Sequence, residues 1–281
     1  MIILNQAVAA STIQRELEFT DRDFHRIREL IARRAGIVLA EHKRDMVYSR
    51  LGRCVRNRGL RRFSDYLKWL SAGSERDAWQ EFVNALTTNL TAFFREGHHF
   101  QLLAEHVQHR RDTVRVWSAG AATGEEPYSI AMVLAETLPS PLHLNVYATD
   151  IDSDALARAR NGVYTLERVR RQVSEERVQR FFLKGNGKHT GYVRVRPELA
   201  KQVHFEHLNL IGQHWPAQQR FDAIFCRNVM IYFDRGTHTR LLERFSGMLK
   251  KDGLLFVGHS ENFTHISQRF RLRGQTVYTL S

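Results

Sequence analysis

The segment 114–138, "VRVWSAGAATGEEPYSIAMVLAETL", decides the fold. An apolar run ends in small residues, Ser118 to Gly124, and passes through two acids, Glu125 and Glu126, into Pro127 and a helical pattern. A strand that turns directly into a helix is the first crossover of a parallel sheet, and proline suits the first helical turn. The small residues let a ligand approach the backbone. Gly120 and Gly124 stand in G-x-x-x-G spacing with no Lys after them, which fits neither the dinucleotide fingerprint nor a phosphate loop.

Working outward, short apolar runs alternate with helical stretches: "LHLNVYATD", "VHFEHLNL", "FDAIFCRN", "LLFVGHSE" and a final "QTVYTLS". Such alternation predicts a mostly parallel sheet covered on both faces. Between the second and third runs lies an insertion, about residues 165–200, where glycines flank an alternating "YVRVR" and predict a small antiparallel sheet. Before residue 110 the pattern is helical. In "TDRDFHRIRELIARRAG", Thr20 and Asp23 form a capping-box pair and Gly36 closes the helix. Two short amphipathic helices follow in "RRFSDYLKWLSAG" and "ERDAWQEFVNALTTNL". The expected organisation is a helical domain with its linker over 1–90 and an α/β domain over 91–281.

Ligands of open parallel sheets bind at the C-terminal strand ends. Glu125 and Glu126 sit at the first such end. Acids complement the positive end of a helix, and Glu125 is read that way. Together the pair disfavours a phosphate and suits a ligand that combines positive charge with neutral hydroxyls. S-adenosylmethionine, with a sulfonium, an ammonium and a ribose, has that character. Asp150, ending the second strand, is placed to accept from ribose hydroxyls. Asn209-Leu210 and Arg227-Asn228 occupy two further strand ends, where an amide can read an adenine edge or an amino acid group, although a loop Asn more often satisfies its own turn.

The net charge of +12, from 42 Lys+Arg against 30 Asp+Glu, favours an anionic partner. The excess is concentrated at 41–62, "EHKRDMVYSRLGRCVRNRGLRR". At about 100° per residue, Val47, Tyr48, Leu51, Cys54 and Val55 share one arc, and Lys43, Arg50, Arg53 and Arg56 share the opposite one. One face packs, and the other is a cationic stripe for an acidic helical partner. Cys54 and Cys226 match no paired spacing, which points to a reducing, cytoplasmic setting. His98, His99, His106 and His109 lie together, but no Cys or acid arrangement makes them a metal site, and no metal is expected. The start, "MIILNQAVAAS", lacks a basic region and is read as a frayed end. No apolar run approaches the roughly 20 residues of a membrane span.

"NLTAFFRE" (89–96), "WSAGAATGEEPYSIAM" (117–132), "ATDID" (148–152), "FDAIFCRNVMIYFD" (221–234) and "GLLFVGHSENF" (253–263) together resemble the CheR-type chemotaxis receptor methyltransferases. The resemblance covers nearly the whole chain. It departs locally at Ala121-Ala122, where relatives often carry Cys or Ser. It implies a Rossmann-like class I S-adenosylmethionine-dependent methyltransferase with an inserted antiparallel β-subdomain and an N-terminal helical domain. It further implies methyl transfer to glutamate carboxylates of chemoreceptors, with S-adenosylhomocysteine as product. Asn89, Thr91, Arg95, Glu126, Asp150, Asn209, Leu210, Arg227 and Asn228 are the implied cofactor shell. Arg95 can fork onto the methionine carboxylate, and Tyr232 can orient the incoming glutamate. Lys43, Arg50, Arg53 and Arg56, on the cationic face of the 41–62 helix, are the expected receptor contacts. In some relatives a receptor C-terminal pentapeptide docks on the inserted sheet. A monomer without nucleic acid is expected.

Two other classes compete. A nucleic-acid methyltransferase would suit the basic helix, but "NVMIY" after Arg227 lacks the Asn-Pro-Pro-aromatic clamp of many amino-directed DNA enzymes. A nucleic-acid-binding module without catalysis would leave the acids at the strand ends unused.

Overall fold

The computed structural model describes residues 16–73, 76–140, 143–216, 220–263 and 265–281; the "MIILNQAVAAS" start lies outside these. Helix α1 (Asp21–Ala35) begins as its sequence dictates. The Thr20 hydroxyl accepts from the Asp23 amide, the Asp23 carboxylate accepts from the Thr20 amide, and Gly36 closes the helix in the left-handed region. Helices α2 (Arg44–Asn57), α3 (Phe63–Ala72) and α4 (Arg76–Leu86) pack their apolar faces with α1 around Ile27, Ile31, Val47, Leu51, Val55, Phe63 and Phe82. This helical body therefore has its own core. A linker leads from it to α5 (His98–Val107) and the sheet.

The chain then alternates: β1 (Val114–Ala119), α6 (Glu125–Thr137), β2 (Leu144–Asp150) and α7 (Ser153–Asn161). The insertion follows, with β3 (Val163–Thr165), α8 (Leu166–Arg170), α9 (Glu175–Phe181), β4 (Phe182–Lys184), β5 (Tyr192–Val195) and the short α10 (Pro197–Ala200). Next come β6 (Val203–His207), β7 (Phe221–Cys226), α11 (Arg235–Met248), β8 (Leu249–Val257) and a closing hairpin of β9 (Phe270–Gly274) and β10 (Val277–Leu280). Among the described residues these strands form two sheets, β6-β2-β1-β7-β8-β10-β9 and β3-β5-β4. In the large sheet β6, β2, β1, β7 and β8 run parallel, and β10 lies antiparallel between β8 and β9. The small sheet is antiparallel throughout.

The large sheet is buried on both faces, which is why its strands read as continuous apolar runs. In β7, Ala223 and Phe225 face one layer of the core, and Phe221, Ile224 and Cys226 face the other. Both cysteines are buried free thiols. The sequence reading missed β9. Its "FRLRG" leaves Arg271, Leu272 and Arg273 exposed at a sheet edge, so no apolar face marks it.

A polar seam joins the helical body to the sheet. Gln80 donates to the Ile151 carbonyl (2.7 Å), Asn84 exchanges hydrogen bonds with Ser153, and the Asp152 carboxylate accepts from Thr87 Oγ1 (2.5 Å) and Asn89 Nδ2 (2.7 Å). Asp152 also caps α7 with its other oxygen. One buried acid therefore fixes the start of a helix and the linker beside it.

Candidate active site

Strand order reverses between β1 and β7, and a cavity of about 370 Å³ opens at the C-terminal ends of the strands beside that point. Gly120 makes the switch geometrically feasible. Its φ is +123°, and a Cβ there would stand 2.3 Å from Val229 Cγ2, so only glycine lets the β1 and β7 loops close on each other. The opposite wall comes from the helical body, through Ala35, Ile37–Ala40, Lys43 and Met46.

Every residue of the expected cofactor shell lines this cavity: Asn89, Thr91, Arg95, Glu126, Asp150, Asn209, Leu210, Arg227 and Asn228. Tyr232 and Lys43 join them, whereas Arg50, Arg53 and Arg56 lie outside the lining.

The details revise several roles. Asp150 accepts one backbone N–H on each carboxylate oxygen, from Asp152 (2.8 Å) and Ala122 (2.8 Å). Each oxygen keeps a further lone pair for a ligand hydroxyl. Burial raises its pKa, and those backbone bonds oppose the rise. The Asn209 amide donates to the Arg34 carbonyl (2.7 Å) and its oxygen accepts from Ile211 N (3.1 Å). It ties a loop to the helical body and, through Ile211, satisfies its own turn. Asn89 serves Asp152 in the same way. Asn228 adopts a left-handed backbone (φ 57°), with its amide and those of Ile231 and Gly258 held by the buried carboxylate of Glu261. Burial raises the pKa of Glu261 against these N–H groups.

The acids of the opening segment separate. Glu125, whose side chain is fully buried, pairs with Arg168 of α8 and accepts from Thr123 Oγ1 (2.6 Å). Arg168 also donates to the Thr91 carbonyl (3.3 Å), and Tyr164 OH donates to the Thr123 carbonyl (2.8 Å). The inserted subdomain is thus latched to the cofactor-side turn. Glu126 accepts from Ser118 Oγ (2.8 Å) and pairs with Arg227 (3.2 Å). Burial raises its pKa, with Arg227 and Ser118 opposing. Each acid of the opening segment thus has an arginine partner, Arg168 for Glu125 and Arg227 for Glu126.

Arg227 is buried and does more. Its Nη2 reaches Glu96 Oε2 (3.2 Å) and the Arg95 carbonyl. Arg95 sits between Phe94 and Glu96, both with positive φ (51° and 56°), and its guanidinium has one bond to the Leu90 carbonyl (3.1 Å). Backbone in a sparsely populated region on both sides displays that side chain at the cavity. Behind Glu96 stand His99 Nδ1 (3.6 Å) and His259 Nε2 (3.9 Å), with His98 stacked on His259. Burial, then Arg227, pushes the His99 pKa down to about 4. For Glu96, burial works upward, yet Arg227 and His259 hold the pKa below its ordinary value. Among the described residues no group of three or more His, Cys, Asp or Glu is arranged to hold a metal ion.

On α2, the expected stripe divides. Arg50 turns toward the linker and donates to the Thr87 carbonyl (2.5 Å), Arg56 approaches Glu16 (3.9 Å), and Lys43 and Arg53 are exposed. Sequence reasoning assigned no role to Glu96, Arg168 and Glu261, whose partners include residues far along the chain, while Asp152, which the sequence offers as a cap, caps α7 and also holds the linker. Glu96 and Glu261 left a trace only as the acids of "NLTAFFRE" and "GHSENF".

A parallel sheet closed by a final antiparallel hairpin, with an acid at the end of β2 and a glycine-bearing turn after β1, defines a class I S-adenosylmethionine-dependent methyltransferase. The cavity fits that cofactor in size, in its apolar walls and in an Asp150 carboxylate open to ribose hydroxyls. The family descriptions that match are "CheR methyltransferase, all-alpha domain" over residues 22–87 and "CheR methyltransferase, SAM binding domain" over 89–279. The chain is 56% identical over 266 residues to the chemotaxis protein methyltransferase of Escherichia coli, covering 94% of this chain and 93% of that one. It is 55% identical to the Salmonella typhimurium protein of the same name (94% and 92% covered) and 53% identical to that of Klebsiella aerogenes (97% and 94%). The chain belongs to the CheR methyltransferase family, and its cofactor is S-adenosylmethionine.

Proposed function

We propose that the chain methylates glutamate side chains of chemoreceptors, forming methyl esters, and that it does so in the cytoplasm as a monomer. The observation that carries this reading is the cavity on which Asp150, Glu126, Arg95 and Tyr232 converge, with Lys43 and Met46 on its helical wall.

Held in the cavity by Asp150, Glu126 and Arg95, S-adenosylmethionine would supply an electrophilic methyl group, with the thioether of its product as the leaving group. A glutamate side chain, which ordinarily titrates near pH ~4.3, is already ionised at neutrality, so the chain needs to supply no general base. Its task is to position and desolvate the carboxylate. Asp150 would hold ribose hydroxyls. Arg95 retains free N–H groups for a carboxylate, from the cofactor or the incoming glutamate. Tyr232 is fixed from behind, because its carbonyl accepts from Val38 N (2.8 Å), and its phenol would border the path of the acceptor.

Lys43 and Arg53 would meet acidic residues of a receptor helix. Arg50 would act indirectly by holding Thr87, and Arg56 is shared with Glu16. The three-stranded β3-β5-β4 sheet, with Val163, Leu183 and Tyr192 exposed, would hold a receptor's C-terminal pentapeptide as a tether.

The test uses radiolabelled cofactor with receptor cytoplasmic fragments. Label that leaves as methanol in mild alkali marks a carboxyl ester; alkali-stable label, or label accepted by DNA or RNA, overturns the reading. Titration of receptor tail peptides tests the tether, which fails if none binds.

A further inference from the structure

The mouth of the cofactor cavity is apolar where contact with water would favour polar side chains. Val38, Leu90 and Ile231 line the cavity, yet they are 51%, 80% and 49% exposed. They come from three separate segments: the stretch after α1, the linker before α5 and the turn after β7. A single exposed aliphatic side chain calls for no explanation, but three on one rim do. Nor are they exposed because the chain is loose there. The Val38 amide donates to the Tyr232 carbonyl (2.8 Å), the Ile231 amide donates to the buried Glu261 carboxylate (3.1 Å), and the Leu90 carbonyl accepts from Arg95 Nη1 (3.1 Å). Each backbone is held while its side chain stands in water.

The same bonds tie the rim to the chemistry. Arg95 and Tyr232 are the two groups placed to meet the incoming carboxylate. Leu90 is bonded to the first, and Val38 and Ile231 flank the second, one by a hydrogen bond and the other along the chain. Lys43 adds a cation on the helical wall of the same cavity. The mouth therefore offers apolar surface and positive charge side by side.

We propose that Val38, Leu90 and Ile231 form a docking collar for an amphipathic, acidic receptor helix, covering themselves with the apolar side chains that flank the acceptor glutamate. This rests on the reading of receptor glutamates as acceptors. On a helix, residues three or four positions from the glutamate share its face, so a carboxylate that enters the cavity brings those neighbours against the rim. Charged neighbours would leave the three aliphatic side chains wet, and apolar ones cover them. The collar thus chooses among glutamates by what stands one turn away. Cations such as Lys43 and Arg53 cannot make that choice, because they respond to charge alone.

The experiment measures methylation of a receptor cytoplasmic fragment by the full chain with radiolabelled S-adenosylmethionine, for wild type, Val38→Thr, Leu90→Asn, Ile231→Thr and the conservative Leu90→Met. The exposure of all three positions leaves the core untouched by these changes. Val38→Thr, Leu90→Asn and Ile231→Thr should each lower kcat/KM about three- to ten-fold through KM, the loss expected when part of one aliphatic side chain is no longer covered by a partner. Leu90→Met should stay within about two-fold of wild type. The defects should persist at about 0.5 M salt, which screens contacts between exposed charges. Calorimetry with S-adenosylhomocysteine separates the collar from the cofactor shell, and its affinity should match that of wild type. Unchanged kcat/KM in the polar variants, an equal loss of cofactor affinity, or a defect that disappears with salt overturns the proposal. So does a wild-type dimer in analytical ultracentrifugation that Leu90→Asn dissociates, since the rim would then be a face between copies of this chain. If wild type places no alkali-labile label on the fragment, the acceptor reading itself is wrong; if it does and the polar variants match it, only the collar fails.

Discussion

Replacing His99 with Gln should remove a defined part of the acid sensitivity of this fold. The imidazole is fully buried, with Nε2 3.0 Å from the Gln275 carbonyl, and its pKa drops from 6.5 to about 4 through burial and the charge of Arg227. Above pH 6.5 the histidine is neutral in both folded and unfolded chains and contributes no pH dependence. As pH falls from 6.5 toward 4, the unfolded chain takes up a proton that the folded one refuses, so stability falls over that window. At one pKa unit per ~1.36 kcal/mol, the loss from this group is about 2 kcal/mol near pH ~5 and about 3 kcal/mol once the folded form also protonates. Urea unfolding followed by tryptophan fluorescence at about pH 8 and about pH 5 measures it. His106, whose pKa burial also lowers, adds to this loss, whereas the raised carboxyls of Glu126, Asp150 and Glu261 act in the opposite direction, so the difference between wild type and variant is what isolates His99. Glutamine has no titrating group, so His99→Gln should lose about 2 kcal/mol less between the two conditions, whatever its stability in the alkaline one. A variant that loses as much as wild type would refute the assignment of that proton to His99.

Gly120→Ala, forced against Val229 at a positive φ, should destabilise the fold by about 2 to 3 kcal/mol, and adding Val229→Ala should return part of that loss in thermal unfolding. Arg168→Met leaves the buried Glu125 without its cation; because Arg168 is half exposed, about 1 to 2 kcal/mol of stability should go, together with cofactor affinity measured by calorimetry. Glu126 and Asp150 have raised pKa values, so cofactor affinity should decline as pH falls through the upper carboxylate range, with proton release on binding in that window. Flat affinity from about pH 7 to about pH 5 would contradict it. Arg50→Glu, by repelling the Thr87 carbonyl, should weaken cofactor binding as well as receptor methylation; a variant with unchanged cofactor affinity would return Arg50 to a surface role.

Local signals in the sequence carried most of the architecture. Thr20, Asp23 and Gly36 act within one turn of their own helix, and the buried strands announce themselves because both faces of the sheet are covered. The strand ends were equally legible, since a parallel sheet places its ligand there. What residues at those ends do was less so. Asn209 and Asn89 lie in the right place, yet their amides serve Arg34 and Asp152, partners 175 and 63 positions away. Helical periodicity identified Arg50 as turned away from the α2 core but could not reveal the linker lying across it. Glu96 and Arg168 acquire meaning only through Arg227 and Glu125, and an alternating pattern carries no record of such pairings.

The seam between helical body and sheet also bears on how the protein could be divided. Each side has its own apolar core, and the contacts from Gln80, Asn84, Thr87 and Asn89 across to Ile151, Asp152 and Ser153 are polar. Opened after Leu90, which is 80% exposed, the chain would leave one partner of each of these bonds on either piece. Because both pieces wall the cofactor cavity, the small molecule becomes the adhesive between them, and mass action ties their assembly to its concentration. Two fluorophores, one on each fragment, would then turn this enzyme into a gauge of methyl-donor supply.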